Sequence, residues 1–156
     1  TTKVGLACKK ASVAIDSKSD HLGHAQIGTT MVMASIEKDN VTIAHVGDSR
    51  CYLLRPGDGL LYQTQDHVRL DFGWEVIAKC FSYRPDVAVP DVRQFSLQAG
   101  DRLLLCSDGL HKSMKDETLL TLMAEDKPLE EIINEYDKIC ETRGDDNYTA
   151  ILIEVE

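Results

Sequence analysis

The sequence has no basic excess. Lys and Arg number 17 against 26 Asp and Glu, a formal net charge of −9 over 156 residues. Such a surface is repelled by nucleic-acid phosphates, which excludes general nucleic-acid binding as a function class. No apolar run approaches the roughly 20 residues that a membrane-crossing helix needs, and no signal peptide is visible. The five cysteines, Cys8, Cys51, Cys80, Cys106 and Cys140, are odd in number and form no Cys-x-x-Cys pair. They read as reduced, buried thiols of a cytoplasmic protein rather than as a disulfide framework. There is no phosphate-binding glycine loop, no helical His-Glu-x-x-His and no Cys/His cluster that would select zinc. A Ser-His-Asp triad stays open on composition alone, although no nucleophile elbow surrounds any serine. Internal repeats, low-complexity tracts and linkers are also absent. The chain opens Thr1-Thr2-Lys3 without a methionine, as expected of a piece cut from a longer chain.

What is present describes one globular domain. Apolar residues make up 43%, enough for a core at this length. Residues 4–15 carry Val4, Ala7, Cys8, Ala11, Ala14 and Ile15 at helical spacing. Residues 16–26 are polar and read as a loop, in which His21 and His24 are solvated. Residues 28–36, 41–46, 50–54 and 60–63 read as four strands of one antiparallel meander, broken by turns at 37–40, 47–49 and 56–59. Residues 71–79 suit one or two helical turns. Tyr83 to Pro90 holds two prolines and is not regular helix. Strands are expected at 91–97, at 103–106 and at the C-terminal end, 148–155. The run Leu103-Leu104-Leu105-Cys106 stops abruptly at Ser107-Asp108-Gly109, as a strand buried on both faces does. Ser113 and Asp116 form a capping box for a helix over 117–125. Pro128 opens a second helix, whose apolar stripe is Leu129, Ile132, Ile133, Tyr136, Ile139 and Cys140, and Gly144 caps it.

Three acidic turns share one design, a strand end where Asp stands beside Gly, Ser or Asn: Gly47-Asp48-Ser49, Ser107-Asp108-Gly109 and Asp145-Asp146-Asn147. Carboxylates at strand ends of one sheet can converge, and hard divalent cations such as Mg²⁺ or Mn²⁺ take oxygen ligands. On residues alone, this is an α+β domain with a candidate Mg²⁺/Mn²⁺ site.

Six motifs in order say more. Gly28-Thr-Thr30, Val46-Gly-Asp-Ser-Arg50, Thr64-Gln-Asp-His67, Leu97-Gln-Ala-Gly-Asp101, Cys106-Ser-Asp-Gly-Leu110 and Gly144-Asp-Asp-Asn-Tyr-Thr149 together resemble the metal-dependent protein phosphatases of the PPM (type 2C) family. The resemblance implies an α-β-β-α sandwich of two antiparallel sheets with helices outside each. It implies hydrolysis of phosphoserine and phosphothreonine on proteins, at a dinuclear Mg²⁺ or Mn²⁺ centre whose bridging water attacks phosphorus. By the same resemblance Asp108 and Asp146 are metal ligands, and Asp48 with Asp108 holds a third, weaker metal. His67 is then a structural hydrogen bonder, Arg50 pairs with a carboxylate or faces solvent, and His45 is a core histidine. His111, just after Gly109-Leu110, is the candidate for substrate contact at the mouth of the site. Many relatives carry Asp where this chain has Lys112, which is expected to be solvated, with contact to an acidic or phosphorylated group as the alternative. Residues between His67 and Asp91 match the family's flap, in shortened form.

The family's N-terminal motifs are not in this sequence: an Arg that holds substrate phosphate, an acidic Arg-x-x-Asn-Glu-Asp type motif, and the Asp-Gly-x-Gly-Gly whose Asp bridges both metals. The sequence therefore reads as the C-terminal two-thirds of one PPM-type domain spanning residues 1–156, with N-terminal strands missing. Such a chain is expected to be weak or inactive alone, and to expose sheet edges through which it self-associates. The alternative is a catalytically degenerate PPM-like domain serving as a binding or regulatory module.

Overall fold

Two antiparallel sheets stack face to face in a computed structural model of the protein, which describes residues 2–82, 88–144 and 146–156. One sheet runs in the order β11 (Ala150–Glu154), β10 (Arg102–Cys106), β4 (Arg50–Arg55) and β5 (Gly59–Gln63). The other runs β2 (Met31–Glu37), β3 (Asn40–Val46) and β9 (Asp91–Ser96). Two short ribbons pair β1 (Gly28–Thr29) with β8 (Phe81–Ser82), and β6 (Val68–Asp71) with β7 (Trp74–Ile77). The helices are α1 (Thr2–His21), α2 (Asp108–His111), α3 (Asp116–Ala124) and α4 (Leu129–Arg143).

Strand alternation builds the layers. Along β10, Leu103 and Leu105 face the other sheet, where they meet Val41 and Ile43 in a layer shared with Cys51 and Leu53 of neighbouring β4. Leu104 and Cys106 face the opposite way, onto Leu119, Met123, Ile132, Tyr136 and Cys140 of α3 and α4. Both faces of β10 are covered, which is why its sequence is a continuous apolar run rather than an alternating one. Removing a leucine-sized side chain from water contributes about 1.5–3 kcal/mol, and Leu103 and Leu104 are each fully buried. On the far side of the three-stranded sheet, Cys8 of α1 packs with Val46, Phe81 and Ala88. The order helix, sheet, sheet, helix is the expected α-β-β-α arrangement.

Several local expectations are corrected. Residues 28–63 do not form one meander. They form two hairpins, β2–β3 and β4–β5, in different sheets. The chain changes sheet at Gly47, whose φ of +105° is open to glycine at little cost. Residues 71–79 are not helical. Asp71 pairs with Trp74 across a two-residue turn in which Phe72 and Gly73 have φ of 49° and 84°, the doubly left-handed turn that suits a twisted hairpin. Helix α1 runs on through polar residues to His21, where Lys18 and His21 complement the negative end of its dipole. Ser113 is not a capping residue: its hydroxyl donates to the Gly109 carbonyl oxygen at 2.6 Å, and the α3 N-cap is Lys115. Pro128 sits at the N-cap of α4, one place earlier than expected, and Gly144 is the C-cap. The proline-rich reading of 83–90 falls largely on residues outside those described, as does Asp145.

Candidate metal centre

The sheet register brings the three acidic turns to one end. Antiparallel β10 pairs Cys106 with Ala150 of β11 on one side and with Arg50 of β4 on the other. The exit of β10 therefore lies between the entrances of β4 and β11. Asp48 precedes β4, Asp108 follows β10 and Asp146 precedes β11, so all three share that sheet end.

Each loop is fastened by its own contacts. Gly47 accommodates the turn because a Cβ there would fall 2.3 Å from Thr30 Cγ2. Thr30 Oγ1 is in turn 2.8 Å from Ser49 Oγ, which gives the Gly28-Thr-Thr30 motif a physical role. His67 grips Gly47 from both directions: its backbone N–H donates to the Gly47 carbonyl oxygen at 2.9 Å, and its Nδ1 accepts the Gly47 N–H at 3.1 Å. Arg50 donates through Nε and one terminal nitrogen to both oxygens of Asp66, each at 2.8 Å, and reaches Asp116 at 3.2 Å. This two-pronged fork ties β4 to the loop before His67 and to the start of α3. The loops of Asp108 and Asp146 are joined directly. Ser107 N–H donates to Thr149 O, and Thr149 N–H donates back to Ser107 Oγ, both at 3.0 Å. Gly109 lies against the Asn147 carbonyl so closely that a Cβ would fall 2.3 Å from its oxygen.

Two expected roles change. His111 is only 5% exposed, and its Nε2–H donates to the Asp48 backbone carbonyl at 3.0 Å. It faces inward and holds the β3–β4 turn, so the structure corrects its expected place at the mouth. Burial lowers its pKa and outweighs the Asp48 carbonyl hydrogen bond, which acts in the opposite direction. Lys112 is not simply solvated. Its ammonium lies 2.9 Å from Asp108 Oδ2 and 3.5 Å from Asp48 Oδ2. Burial works against the Asp108 charge, but Lys112 and the Gly109 N–H outweigh it and hold that carboxyl below the ordinary carboxylate range. Asp146 is exposed, with Oδ1 accepting the Asn147 N–H at 2.8 Å.

Sequence reasoning missed a second cluster. Candidate ligand atoms of His45, His67 and Asp91 lie within 4.8 Å of one another, the one such group of three among the described residues. Asp48, Asp108 and Asp146 share the sheet end without closing to that spacing. Spacing in the sequence could not reveal the histidine group, because its members come from β3, a loop and β9. The histidine rings stack at 4.4 Å. A metal does not suit this group. His67 Nδ1 already accepts a hydrogen bond, so the neutral ring keeps its proton on Nε2, the nitrogen 3.3 Å from Asp91. The Lys79 ammonium, 3.1 Å from Asp91, supplies the positive charge there.

At the sheet end the donors are carboxylate oxygens of three loops, the chemistry that Mg²⁺ and Mn²⁺ prefer. A cationic group already stands between two of them, so the place suits positive charge.

Comparison with known proteins agrees with this architecture. Residues 4–151 match the family described as Protein phosphatase 2C. A serine/threonine phosphatase stp of Listeria welshimeri is 30% identical over 145 residues, covering 82% of this chain and 57% of that protein. A putative protein phosphatase of Mycoplasma genitalium is 27% identical, covering 85% of this chain and 57% of its own length. The chain thus spans just over half of these relatives. The crystal structure of the catalytic domain of serine threonine protein phosphatase PstP in complex with two manganese ions superposes with a TM-score of 0.81 at 24% identity, over 99% of this chain and 71% of that one. This chain belongs to the protein phosphatase 2C family.

Proposed function

We propose that this chain forms the larger part of a metal-dependent phosphatase acting on phosphoserine and phosphothreonine in proteins. Asp108 and Asp146 are ligands of Mn²⁺ or Mg²⁺, two ions in a complete domain, and Asp48 with Asp108 serves a third. The observation that carries the reading is the gathering of three motif aspartates at one sheet end, two of them bridged by a single cationic side chain. The manganese complex of PstP, which has this fold, supports the choice of ions.

A divalent cation bound there lowers the pKa of water and neutralises charge on phosphoryl oxygens. The chain's own residues supply position. The Arg50–Asp66 fork and the His67 clamp on Gly47 fix the turn that carries Asp48. The Ser107–Thr149 pair sets the spacing between the Asp108 and Asp146 loops. None of these contacts moves a proton in the reaction, and no side chain is required as a covalent nucleophile.

The partner is a phosphoprotein rather than nucleic acid or membrane, the compartment is the cytoplasm, and edge strands β2 and β11 offer a route to self-association. No helix among the described residues is long and apolar enough to cross a membrane. A second reading, a family member that binds partners without turnover, is favoured by the hold of Lys112 on Asp48 and Asp108. Phosphate release from a phosphoserine peptide at saturating Mn²⁺, with Asp108→Asn alongside, separates the two. Metal-dependent release that is lost in the variant supports the phosphatase. No release from the full-length protein establishes the binding module.

A further inference from the structure

Lys112 ends α2 as its C-cap, one helical turn after Asp108. An ordinary i,i+4 pair on a helix would join Lys112 to Asp108 alone. Here the same ammonium also reaches Asp48, a residue 64 positions away on a turn between two strands. The Asp48 side chain is only 7% exposed. Among the described residues, Lys112 is the sole ion-pair partner of either carboxylate. The preceding residue, His111, grips the Asp48 backbone carbonyl. Two consecutive residues therefore clasp the Asp48 turn onto α2, one through the main chain and one through charge. A lysine ammonium is a compact point charge with three donors, the side-chain group nearest in kind to a small cation. Its neighbours are two carboxylates that belong to different loops, in the way that ligands of a bound ion do.

We propose that Lys112 is a built-in cation: it neutralises Asp48 and Asp108 when no metal is bound, and a divalent cation must displace it to take both carboxylates. The proposal rests on the metal-binding reading above. It gives the site two consequences. The loops stay together without metal, because an ammonium rather than two bare carboxylates fills the space. Metal binding at this position is weakened, because the ion competes with a tethered charge that is always present. Half of the Lys112 side chain is exposed, so it can swing into solvent when displaced, and its departure leaves the core untouched.

The test is Mn²⁺ affinity of the full-length protein by calorimetric titration, for wild type, Lys112→Met, Lys112→Arg and Asp108→Asn. Lys112→Met is expected to bind Mn²⁺ about tenfold more tightly, the equivalent of about 1.4 kcal/mol, whereas Lys112→Arg stays near wild type. A second readout needs no metal affinity. In EDTA, Lys112→Met is expected to unfold at a lower temperature than wild type, and Mn²⁺ is expected to raise its unfolding temperature more than it raises that of wild type. Equal or weaker Mn²⁺ binding by Lys112→Met, while Asp108→Asn still abolishes binding, overturns the built-in cation and leaves the metal site standing. Binding in wild type that is indifferent to Asp108→Asn overturns the metal reading itself. Absence of Mn²⁺ binding in both wild type and Lys112→Met overturns both.

Discussion

Gly109→Ala should push apart the two loops that the site depends on. A Cβ built on Gly109 lies 2.3 Å from the Asn147 carbonyl oxygen, 2.9 Å from its carbon and 3.4 Å from the Asp146 carbonyl oxygen. Close carbon–oxygen contacts settle at about 3.3 Å or more, so the 146–147 backbone must retreat by about 1 Å. The obstacle is main chain, which cannot step aside as a side-chain tip can. Two effects oppose each other in stability. Alanine in a helix interior is better than glycine by about 1 kcal/mol, but α2 is a single four-residue turn and collects only part of that. Overpacking costs about 1–3 kcal/mol, so the clash wins and a net loss of about 1–2 kcal/mol is expected. The effect on the site is larger. Mg²⁺ holds its oxygens at about 2.0–2.1 Å with little tolerance, so a loop displaced by about 1 Å withdraws its carboxylate from the shell. Losses of about 10–100-fold in metal affinity are usual when the support of a ligand is disturbed. Urea unfolding and Mn²⁺ titration of the same preparation read both effects. Wild-type stability together with wild-type Mn²⁺ affinity in Gly109→Ala would refute the claim that this close approach, beside the Ser107–Thr149 pair, fixes the spacing of the Asp108 and Asp146 loops.

Other perturbations follow from the same contacts. Arg50→Lys keeps the charge but loses the fork to Asp66, whose two 2.8 Å bonds join side chains only 18% and 15% exposed. A loss of about 1–3 kcal/mol is expected in urea unfolding, and an unchanged midpoint would mean that the fork is replaceable. Asp101 is fully buried, and the Arg55 guanidinium, helped by the Gln98 N–H and against the cost of burial, holds its carboxyl below the usual range. Its stabilisation is therefore complete above the unfolded value of about 3.9 and is lost as pH falls below it towards the lower folded value. Thermal unfolding from about pH 5 downward should show this acid-side loss, and Asp101→Asn should flatten it. A slope that survives in Asp101→Asn would assign the loss to other carboxylates. Leu104→Ala, at a fully buried position facing α3 and α4, should cost about 2–5 kcal/mol in urea unfolding; a cost under about 1 kcal/mol would mean that the helix layer is not packed on β10.

The parts of this fold that could be read in the sequence are those where one local pattern decides. The β10 run, the α4 stripe and the turns at 37–40 and 56–59 each carry their own signal, and the structure has them in place. The choice of sheet was not legible, because hydrophobic alternation fixes which face of a strand is wet but not which strand lies beside it. Residues 28–63 therefore looked like one meander, although β4 finds its partner in β10, some fifty residues on. The β6–β7 hairpin was hidden because Phe72 occupies a left-handed position that usually belongs to Asn, Asp or Gly. At the site, the aspartates announced themselves through their turns, whereas the roles of His111 and Lys112 depend on Asp48, which only the folded chain brings to them. His45 and His67 stack for the same reason: strand pairing and a returning loop, not spacing, put them together.

The central claim is that Asp108 and Asp146 hold a divalent cation at the end of the four-stranded sheet. Its most direct test is loss of the free Mn²⁺ paramagnetic resonance signal on titration with wild type, Asp108→Asn and Asp146→Asn, each checked for folding by circular dichroism. Wild type should take up Mn²⁺, and each folded variant should bind it at least about tenfold more weakly, a difference of about 1.4 kcal/mol. Folded variants that bind Mn²⁺ as wild type does would contradict the account.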